Sequence, residues 1–506
     1  MKKFFFIAAA ALLLAACGQP REQILKVYNW SDYIDEEVIP EFEEWYYEQT
    51  GERVEVVYQT FDINETMLSK IKMGREDFDV VCPSDYIIEQ MLQEDMLIPL
   101  ELESQIPDSI NYVKEYLSPY IRGMFDKIEG NGKNANDYAV SYMWGTTGIL
   151  YNTAYVSEEE ASSWDVIRNP RLKNRIFIKD SARDVYSQII LKVHEEELAA
   201  LRESDPEAWM ARMDELMNYT SDEDLQAVAA YMREVKKLVA GWEADFGKDQ
   251  MVQEIGWVDL TWSGDAVWAI EEAAEANPKV ELKWALPQEG FTVWFDGWVI
   301  PKYAKNIKAA RYWIAFMNRP DIVIRNVDAT GYVSSSAAPA VLDYFRLDGE
   351  EEEGDEEEDE EETPGQAGSD AAEEGDEGDE EDEEDEGDEE AEEAEDFDYI
   401  DVSYFFPEHL LKADPLTEDV DPTAVALDPV LYPPLEDIER STMEHYWGPK
   451  TKDLIEMWSR VKGDNISPTT WVVIGLAAFV FLFLKVADAS RKARRRRFYE
   501  NRNKKD

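Results

Sequence analysis

Apolar and polar positions along the N-terminal part of the chain alternate with two different periods. Short runs with a strand-like pattern are separated by longer segments whose apolar residues recur at helical spacing. In chain order the pattern predicts a strand from Leu25, a helix over 36–49, a strand over 54–58, a helix from Asn64 to about Met73, and a strand over 78–82. Gly51 is expected to end the first helix as its C-cap. This β-α-β-α-β order is typical of a doubly wound parallel sheet, so we predict an α/β fold.

The middle and C-terminal parts of the chain continue the same mixture of elements. Residues 138–152 read as two extended segments around Gly145, which predicts a passage from one lobe into a second. The other predicted elements are strands over 175–178, 254–262, 283–286 and 298–300, and helical segments over 185–240, 308–317 and 435–461. Several of these strands end in polar and aromatic residues. Ligands of open α/β sheets bind at such carboxyl ends, so we expect the binding site there.

Both ends of the chain carry membrane-targeting patterns. Residues 1–16 combine two lysines with an apolar run, and the following Cys17 resembles the lipidated residue of bacterial lipoproteins, which predicts a lipoprotein signal peptide. Residues 469–487 form an apolar segment long enough to be a transmembrane helix, and 488–506 form a basic tail. The positive-inside rule places this tail in the cytoplasm and the preceding chain outside. A buried core helix is the alternative for the apolar segment, but the one-sided basic cluster favours the membrane.

The chain of 506 residues has a formal net charge of −61, and an acidic tract accounts for much of it. Over 348–396 most residues are Asp or Glu and none is Lys or Arg, which predicts a disordered acidic insertion. We expect a solvated spacer, with a surface that attracts cations as the alternative. The remaining chain is also acidic, which argues against nucleic acid as a partner and is compatible with a cationic one.

The sequence lacks the usual signatures of enzymes and metal sites. No Gly-x-Ser-x-Gly motif occurs, and the three histidines are too scattered for an HExxH helix. Residues 241–248 depart from the spacing of a phosphate-binding loop. If Cys17 carries lipid, Cys82 is the only remaining thiol, so neither a thiol nucleophile nor a soft-metal site is indicated. We therefore predict no catalytic residues, no metal and no cofactor.

What recurs instead is an aromatic residue within a few positions of a carboxylate, at the predicted strand ends. The groups are Trp30 with Asp32 and Tyr33, Asp85 with Tyr86, Asp184 with Tyr186, Trp262 with Asp265, and Trp294 with Asp296. A single pair is equally well explained as a helix cap beside a core aromatic residue. Five such groups favour a cleft for a flexible cation, because aromatic faces pack methylene groups and carboxylates pair with ammonium groups.

Eight segments of the chain resemble, in the same order, the bacterial spermidine/putrescine-binding proteins of ABC transporters. They are VYNWSDYI, NETMLSKIK, DFDVVCPSDY, WGTTGILYN, the run 180–185, TWSGDAVW, WFDGWVIPK and ATGYV. The resemblance implies the two-lobed periplasmic-binding-protein fold, in which the lobes close on the ligand about a hinge. Lobe 1 is expected to contain 24–142 with 297–333, and lobe 2 to contain 143–296 with 397–463.

The resemblance also implies which residues contact the ligand. The matching positions are Trp30, Ser31, Asp32, Tyr33, Ser84, Tyr86, Asp184, Trp262, Trp294, Asp296 and Tyr332, and we add Asp85, Ser181 and Asp265 to make a predicted site of fourteen residues. A Gln near the C-terminus of the family has no clear counterpart here. Ser181 and Asp265 resemble the putrescine-selective members, whereas Trp294 resembles the spermidine type.

The implied function is capture of a polyamine at the extracytoplasmic face of the inner membrane and its delivery to an ABC transporter permease. No bond is made or broken, and putrescine is expected to bind as tightly as spermidine or more tightly. Binding of another cation or of an amino acid is the alternative. An amino acid would need an Arg for its carboxylate, and among the five groups only Arg183 is present, with acidic neighbours. A cell-surface hydrolase is a less favoured alternative.

Overall fold

The computed structural model describes residues 20–74, 76–347, 399–411 and 424–463. The predicted signal peptide with Cys17, the acidic insertion over 348–396, the apolar segment 469–487 and the basic tail 488–506 lie outside these residues. Among the described residues, no helix is both long and apolar enough to cross a membrane.

The described residues form an alternation of strands and helices. The strands are β1 (Ile24–Trp30), β2 (Glu55–Phe61), β3 (Val80–Val81), β4 (Glu129–Gly130), β5 (Lys133–Asn134), β6 (Ala139–Asn152), β7 (Ile176–Lys179), β8 (Val239–Glu243), β9 (Val258–Trp262), β10 (Leu282–Ala285), β11 (Phe291–Val299), β12 (Val333–Ser334), β13 (Tyr399–Asp401), β14 (Ala424–Ala426) and β15 (Ser441–Met443). The α-helices are Val38–Thr50, Asn64–Lys72, Asp85–Gln93, Leu102–Gln105, Tyr112–Tyr116, Pro119–Phe125, Glu158–Ala161, Ala182–Val193, Glu195–Ser204, Pro206–Asn218, Asp222–Val235, Gly247–Val252, Ser263–Ala276, Ile307–Phe316, Pro320–Thr330, Pro339–Phe345, Leu435–Ile438 and Lys450–Gly463.

A mixed sheet runs through the molecule in the order β2-β1-β3-β11-β6-β9-β7-β8. β1 is parallel to β2 and β3, which confirms the parallel β-α-β-α-β unit predicted for the N-terminal part. β7 is parallel to both β8 and β9. We call β1–β3 the first strand group and β7–β9 the second strand group. Between them lie β6 and β11, which are antiparallel to each other.

β6 and β11 connect the two strand groups because they pair with each other and each also pairs with one group. The C-terminal end of β11 pairs with β3 through Val299 and Val81. The C-terminal half of β6 pairs antiparallel with β9, from Thr147 with Trp262 to Tyr151 with Val258. Every residue of both strands is buried, as expected for strands covered on both faces. The extended segments predicted around Gly145 are therefore one continuous strand, because the glycine continues the ladder between them.

The first helix shows how the predicted apolar periodicity produces a buried face that packs against another helix. Phe42 lies on the buried face of Val38–Thr50, with its ring centroid 5.0 Å from Trp313 and 5.4 Å from Phe316 of the helix Ile307–Phe316. Gly51 ends the first helix in the left-handed conformation (φ 71°), as predicted.

The C-terminal segment differs from its prediction as one helix over 435–461. The structure contains two helices separated by β15, which adds parallel to β11 with Phe291 opposite Ser441. The helical prediction is wrong here because strand pairing with a distant segment overrides local periodicity. The chain after residue 399 packs at two separate places. The Phe405 ring stacks on Trp144 with 5.5 Å between centroids, and the Trp458 ring contacts Trp242 with 5.0 Å between centroids.

Candidate functional site

A cavity at the carboxyl ends of both strand groups brings all fourteen residues of the predicted site together. Its empty space, counted out to the open mouth, is about 900 Å³. We call it the main cavity. Its other lining residues are Phe61, Asp62, Ile63, Asn64, Glu65, Asp180, Ala244, Asp245 and Glu444.

The residues that line the main cavity come from the ends of several strands. Trp30 ends β1, Ser84 precedes the helix that follows β3, and Ser181 precedes the helix that follows β7. Trp262 ends β9, and Trp294 lies within β11. β1 and β3 run antiparallel to β7 and β9, and the carboxyl ends of both strand groups face the main cavity. Side chains that are far apart in sequence therefore meet there.

Five aromatic side chains form a continuous wall. Ring centroids are separated by 6.1 Å between Trp30 and Trp262, and by 6.4 Å between Trp262 and Trp294. The wall continues with 5.6 Å between Trp294 and Tyr332 and 5.0 Å between Tyr332 and Tyr33. Neighbouring rings meet edge to face, which is a favoured arrangement for aromatic pairs. The wall offers ring faces to an alkyl chain or an ammonium group.

Two glycines make room for this wall. A Cβ at Gly145 would lie 2.6 Å from the Trp294 ring and 2.5 Å from the hydroxyl of Ser263. A Cβ at Gly264 would lie 2.2 Å from the Tyr332 ring. Both distances are far inside van der Waals contact, so any other residue would displace the rings.

The Asp296 carboxylate lies among the residues of the wall and is only 5% exposed. Tyr33 donates its hydroxyl hydrogen to one oxygen at 2.9 Å, and Ser84 donates to the other at 2.6 Å. Burial raises the pKa of Asp296 to about 7, and the charge of Asp184 adds to this, although the two hydrogen bonds oppose the shift. Among the described residues, no Lys or Arg pairs with this carboxylate.

Asp184 supplies a second carboxylate on the opposite strand group. One of its oxygens accepts hydrogen bonds from the Thr147 hydroxyl at 3.1 Å and from the Trp262 indole N–H at 3.3 Å. The backbone N–H of Asp184 donates to the hydroxyl of Ser181, which is the N-cap of the helix. Ser181 therefore caps the helix as well as lining the cavity.

Asp265 has its charge satisfied inside the protein. Lys179 lies 2.5 Å from one of its oxygens, and Lys248 lies 3.6 Å from the other. Burial opposes the ionised form, but the two lysines outweigh it and lower the pKa of Asp265. Asp32, in contrast, is in the left-handed conformation (φ 47°), and 68% of its side chain is exposed.

Ser31 and Asp85 make contacts within the protein. Ser31 donates to the Asp62 carboxylate at 2.8 Å. The buried Asp85 accepts hydrogen bonds from the backbone N–H groups of Tyr86 at 2.7 Å and of Phe295 at 3.3 Å. Burial raises the pKa of Asp85 well above its usual value, and the charge of Glu444 adds to the effect. Asp85 thus ties the loop after β3 to β11.

Two neighbouring residues of the main cavity were missed by the sequence analysis. The Asn64 amide donates to the Ser84 hydroxyl at 2.9 Å and to the Tyr86 hydroxyl at 3.1 Å, and Tyr86 donates to Glu65 at 3.3 Å. The helix begins at Asn64, as predicted, but Ile63 is its N-cap, and the Asn64 side chain turns to the next strand end. Its place in the segment NETMLSKIK was the available signal.

Glu444 is a further buried carboxylate that the sequence analysis missed. It accepts a hydrogen bond from Ser187 at 2.7 Å and lies 3.7 Å from the guanidinium of Arg183. Burial raises the pKa of Glu444 to about 7 even though Arg183 opposes the shift. The residue reaches the cavity because it directly follows β15, which was predicted as helix. Its sequence neighbours carry no signal of this placement.

The chemistry of the main cavity is that of a cation site. Buried carboxylates and aromatic faces dominate its lining, and they attract positive charge. Arg183 is no counterpart for an anion here, because its guanidinium donates to the carbonyl of Met217 and to Asn218. Among the described residues, no group of three or more His, Cys, Asp or Glu side chains is arranged to hold a metal ion.

Comparison with known proteins gives the family from the sequence and the fold from the structure. Residues 37–343 match the family described as bacterial extracellular solute-binding protein. The chain is 27% identical over 315 residues to the spermidine/putrescine-binding periplasmic protein of Salmonella typhimurium, covering 62% of this chain and 78% of that protein. It is 28% identical over 335 residues to the putrescine-binding periplasmic protein of Escherichia coli, covering 63% and 80%.

A solved structure from Listeria monocytogenes, described as a spermidine/putrescine ABC transporter, superposes with a TM-score of 0.58 at 24% identity. The match covers 87% of this chain and 99% of that one, which confirms the predicted α/β periplasmic-binding-protein fold. The relatives also confirm the resemblance noted in the sequence. The chain belongs to the family of bacterial extracellular solute-binding proteins.

Proposed function

We propose that this protein binds a polyamine in the main cavity and delivers it to an ABC transporter permease. The observation that carries the proposal is a pair of carboxylates, Asp296 and Asp184, set beside a wall of aromatic rings. Among the described residues, neither carboxylate is paired with a Lys or Arg, so each is free to pair with a ligand ammonium. The relatives named for spermidine or putrescine support the choice of ligand.

The division of labour among the fourteen residues follows from their contacts. Asp296 and Asp184 pair with the ammonium groups, and Trp262 and Trp294 pack against the methylene chain between them. Tyr33 and Ser84 hold the Asp296 carboxylate in place. Several cation–π contacts of roughly 0.5–1 kcal/mol each, together with the ion pairs, are needed for micromolar binding of about −8 kcal/mol.

Transport requires that the ligand be trapped and later released. Asp296 lies on β11 beside the first strand group, and Asp184 follows β7 in the second. A ligand that contacts both carboxylates stabilises the arrangement in which the two groups are close together. We therefore infer two lobes, 24–142 with 297–333 and 143–296 with 397–463, that close about β6 and β11. The family is one of solute-binding proteins, and the proposed mechanism involves binding and closure alone.

The proposed location is the extracytoplasmic face of the bacterial inner membrane. The relatives are named as periplasmic proteins, which supports an extracytoplasmic site of action. A lipid on Cys17 and a helix over 469–487 would anchor the protein there, and both features remain predictions from the sequence.

Isothermal titration calorimetry with putrescine, spermidine and arginine tests the proposal. We expect both polyamines to bind with micromolar or lower Kd and arginine to give no heat of binding. Putrescine should bind as tightly as spermidine or more tightly. Failure of both polyamines would overturn the proposal, whereas spermidine binding about tenfold more tightly than putrescine, or 1.4 kcal/mol, would overturn only the order.

A further inference from the structure

A lysine of the protein already pairs with three carboxylates at one end of the proposed polyamine site. The ammonium group of Lys248 lies 3.4 Å from Asp245, 3.6 Å from Asp265 and 3.6 Å from Asp32. Asp245, Asp265 and Asp32 all line the main cavity. Lys248 is part of the helix Gly247–Val252 and is nearly buried, with its ammonium 5.2 Å from the Trp268 ring centre.

Beyond this lysine lies a second cavity, which we call the side chamber. It is lined by Asp32, Tyr33, Ile34, Glu36, Tyr58, Thr60, Lys248, Asp249, Trp268, Ala329 and Thr330. Asp32 and Tyr33 line the side chamber and the main cavity alike. The ion pair between Asp32 and Lys248 therefore stands where the two spaces adjoin. The side chamber offers the same chemistry as the main cavity, namely carboxylates and aromatic rings.

The geometry points to Lys248 as the residue that limits the length of the ligand. Its ammonium group occupies the place that a third ligand ammonium would take. Its side chain also closes the way into the side chamber. This inference rests on the proposed function. It assigns a specificity role to a residue that makes no contact with the two ammonium groups held by Asp296 and Asp184.

The charge state of Lys248 supports this role. Burial opposes its positive charge, but Asp265, Asp245 and Asp32 outweigh burial and raise the pKa of Lys248 above its usual value. Lys179 lies on the other side of Asp265 and also pairs with Glu243 at 2.9 Å. The Asp265 end of the cavity thus already has two lysines for its carboxylates, and an additional ammonium would meet like charge.

A diamine and a triamine differ in how many ammonium groups must be paired at this end of the site. A diamine has two ammonium groups, which Asp296 and Asp184 satisfy. The additional ammonium of a triamine must either face Lys248 or remain poorly paired in a dehydrated cavity, and both outcomes are unfavourable. Removing the Lys248 charge would leave Asp245 and the Asp265 oxygen that faces Lys248 available to the triamine.

Calorimetric measurement of the affinity ratio between spermidine and putrescine in charge and size variants tests the inference. In Lys248→Met the side chain keeps its length and loses its charge, so the ratio should shift towards spermidine by about tenfold. In Lys248→Arg the charge is kept, so the ratio should stay within about twofold of the wild type. Lys72→Met makes the same chemical change at an ion pair with Glu94 away from both cavities and should alter neither affinity.

The outcomes separate this inference from the proposed function. A shift of less than about fivefold in Lys248→Met, or an equal shift in Lys248→Arg, would overturn the role of the charge. If Lys248→Met does not fold, as judged by its thermal melting curve, Lys248→Gln takes its place with the same expectation. Wild-type protein that binds neither polyamine overturns the proposed function and this inference together. Wild-type binding with an unchanged ratio in the variants overturns only the inference.

Discussion

At Asp296, burial and hydrogen bonding act in opposite directions on one carboxyl group. Burial raises its pKa to about 7, while Tyr33 and Ser84 donate hydrogen bonds that favour the ionised form. Ligand-free protein therefore holds a carboxyl group that is balanced between its two protonation states near neutral pH. An ammonium group placed beside it would supply the missing positive charge and favour the carboxylate.

Asp296→Asn should weaken putrescine binding far more than Asp32→Asn. Loss of a buried charge partner typically costs roughly 2–5 kcal/mol, which is about 30-fold or more in Kd. Asp32 is largely exposed and pairs with Lys248, so its replacement should cost less than about tenfold. Calorimetry on the two variants and the wild type measures both effects. Equal and small losses would mean that Asp296 has only a structural role.

The affinity for putrescine should rise with pH between about 5.5 and 8. Asp296 and Glu444 have pKa values raised to about 7, so below that pH they hold protons that a bound cation must displace. For one such group the affinity at pH 5.5 should be lower by about tenfold or more than at pH 8. Titrations in buffers of different ionisation enthalpy would detect the released protons.

Asp296→Asn provides the control for this pH dependence, because it removes one of the two titrating groups. The slope of affinity against pH should become shallower in that variant. Equal wild-type affinity at pH 5.5 and pH 8 would contradict the expectation.

At the scale of elements, β6 and β11 shape the main cavity from the centre of the sheet. They pair with each other, and β11 carries Trp294 and Asp296, which line the main cavity. Gly145 on β6 stands opposite Trp294 on β11, at the point where the indole lies across the neighbouring strand. The space for the aromatic wall is therefore created by the absence of a side chain on the adjacent strand.

Gly145→Ala should weaken putrescine binding by displacing Trp294. The added Cβ would lie 2.6 Å from the indole ring, so the ring must move away from its place in the wall. We expect a loss of about tenfold or more, corresponding to at least about 1.4 kcal/mol. Calorimetry measures the affinity, and tryptophan fluorescence reports the changed ring environment.

Gly123→Ala is the matched control, since a Cβ there meets no atom within 4 Å. Gly123 lies in the helix Pro119–Phe125, where alanine is the better helix former, so stability should hold or improve slightly. Binding by Gly145→Ala that equals that of Gly123→Ala would show that the wall tolerates movement of Trp294.

At the scale of the whole molecule, the two membrane anchors predicted from the sequence lead to a test of location. The described residues contain no membrane-spanning helix, and both predicted anchors, Cys17 and 469–487, lie outside them. The last described helix is Lys450–Gly463, and the predicted span begins at position 469 of the sequence. A lipid and a transmembrane helix together would make attachment effectively irreversible.

A protein with Cys17→Ala and truncation after Gly463 should appear in the soluble periplasmic fraction. Each change alone should leave the protein in the membrane fraction, because the other anchor remains. Cell fractionation followed by immunoblotting measures this distribution. Membrane retention of the doubly altered protein would contradict the predicted topology.

Local patterns in the sequence were enough to predict the parallel unit and fourteen of the residues that line the main cavity. Leu25 and the helix over 36–49 were recognisable because strand and helix periods differ, and both depend on neighbouring residues alone. The aromatic and carboxylate groups were recognisable because they follow predicted strands, and the parallel strands of one group end at one edge. The meeting of Trp30 with Trp262 depends instead on β6 and β11, the antiparallel strands that set the two groups against each other.

Only the tertiary structure decided which of these charges remain available to a ligand. Asp265 is paired with Lys179 and Lys248, which lie 86 and 17 positions before it in the chain. No local pattern in the sequence records such contacts. Glu444 enters the cavity because β15 pairs with β11 across about 150 residues of chain that include the acidic insertion. Periodicity describes neighbours along the chain, whereas charge balance in a buried site depends on groups that meet only after folding.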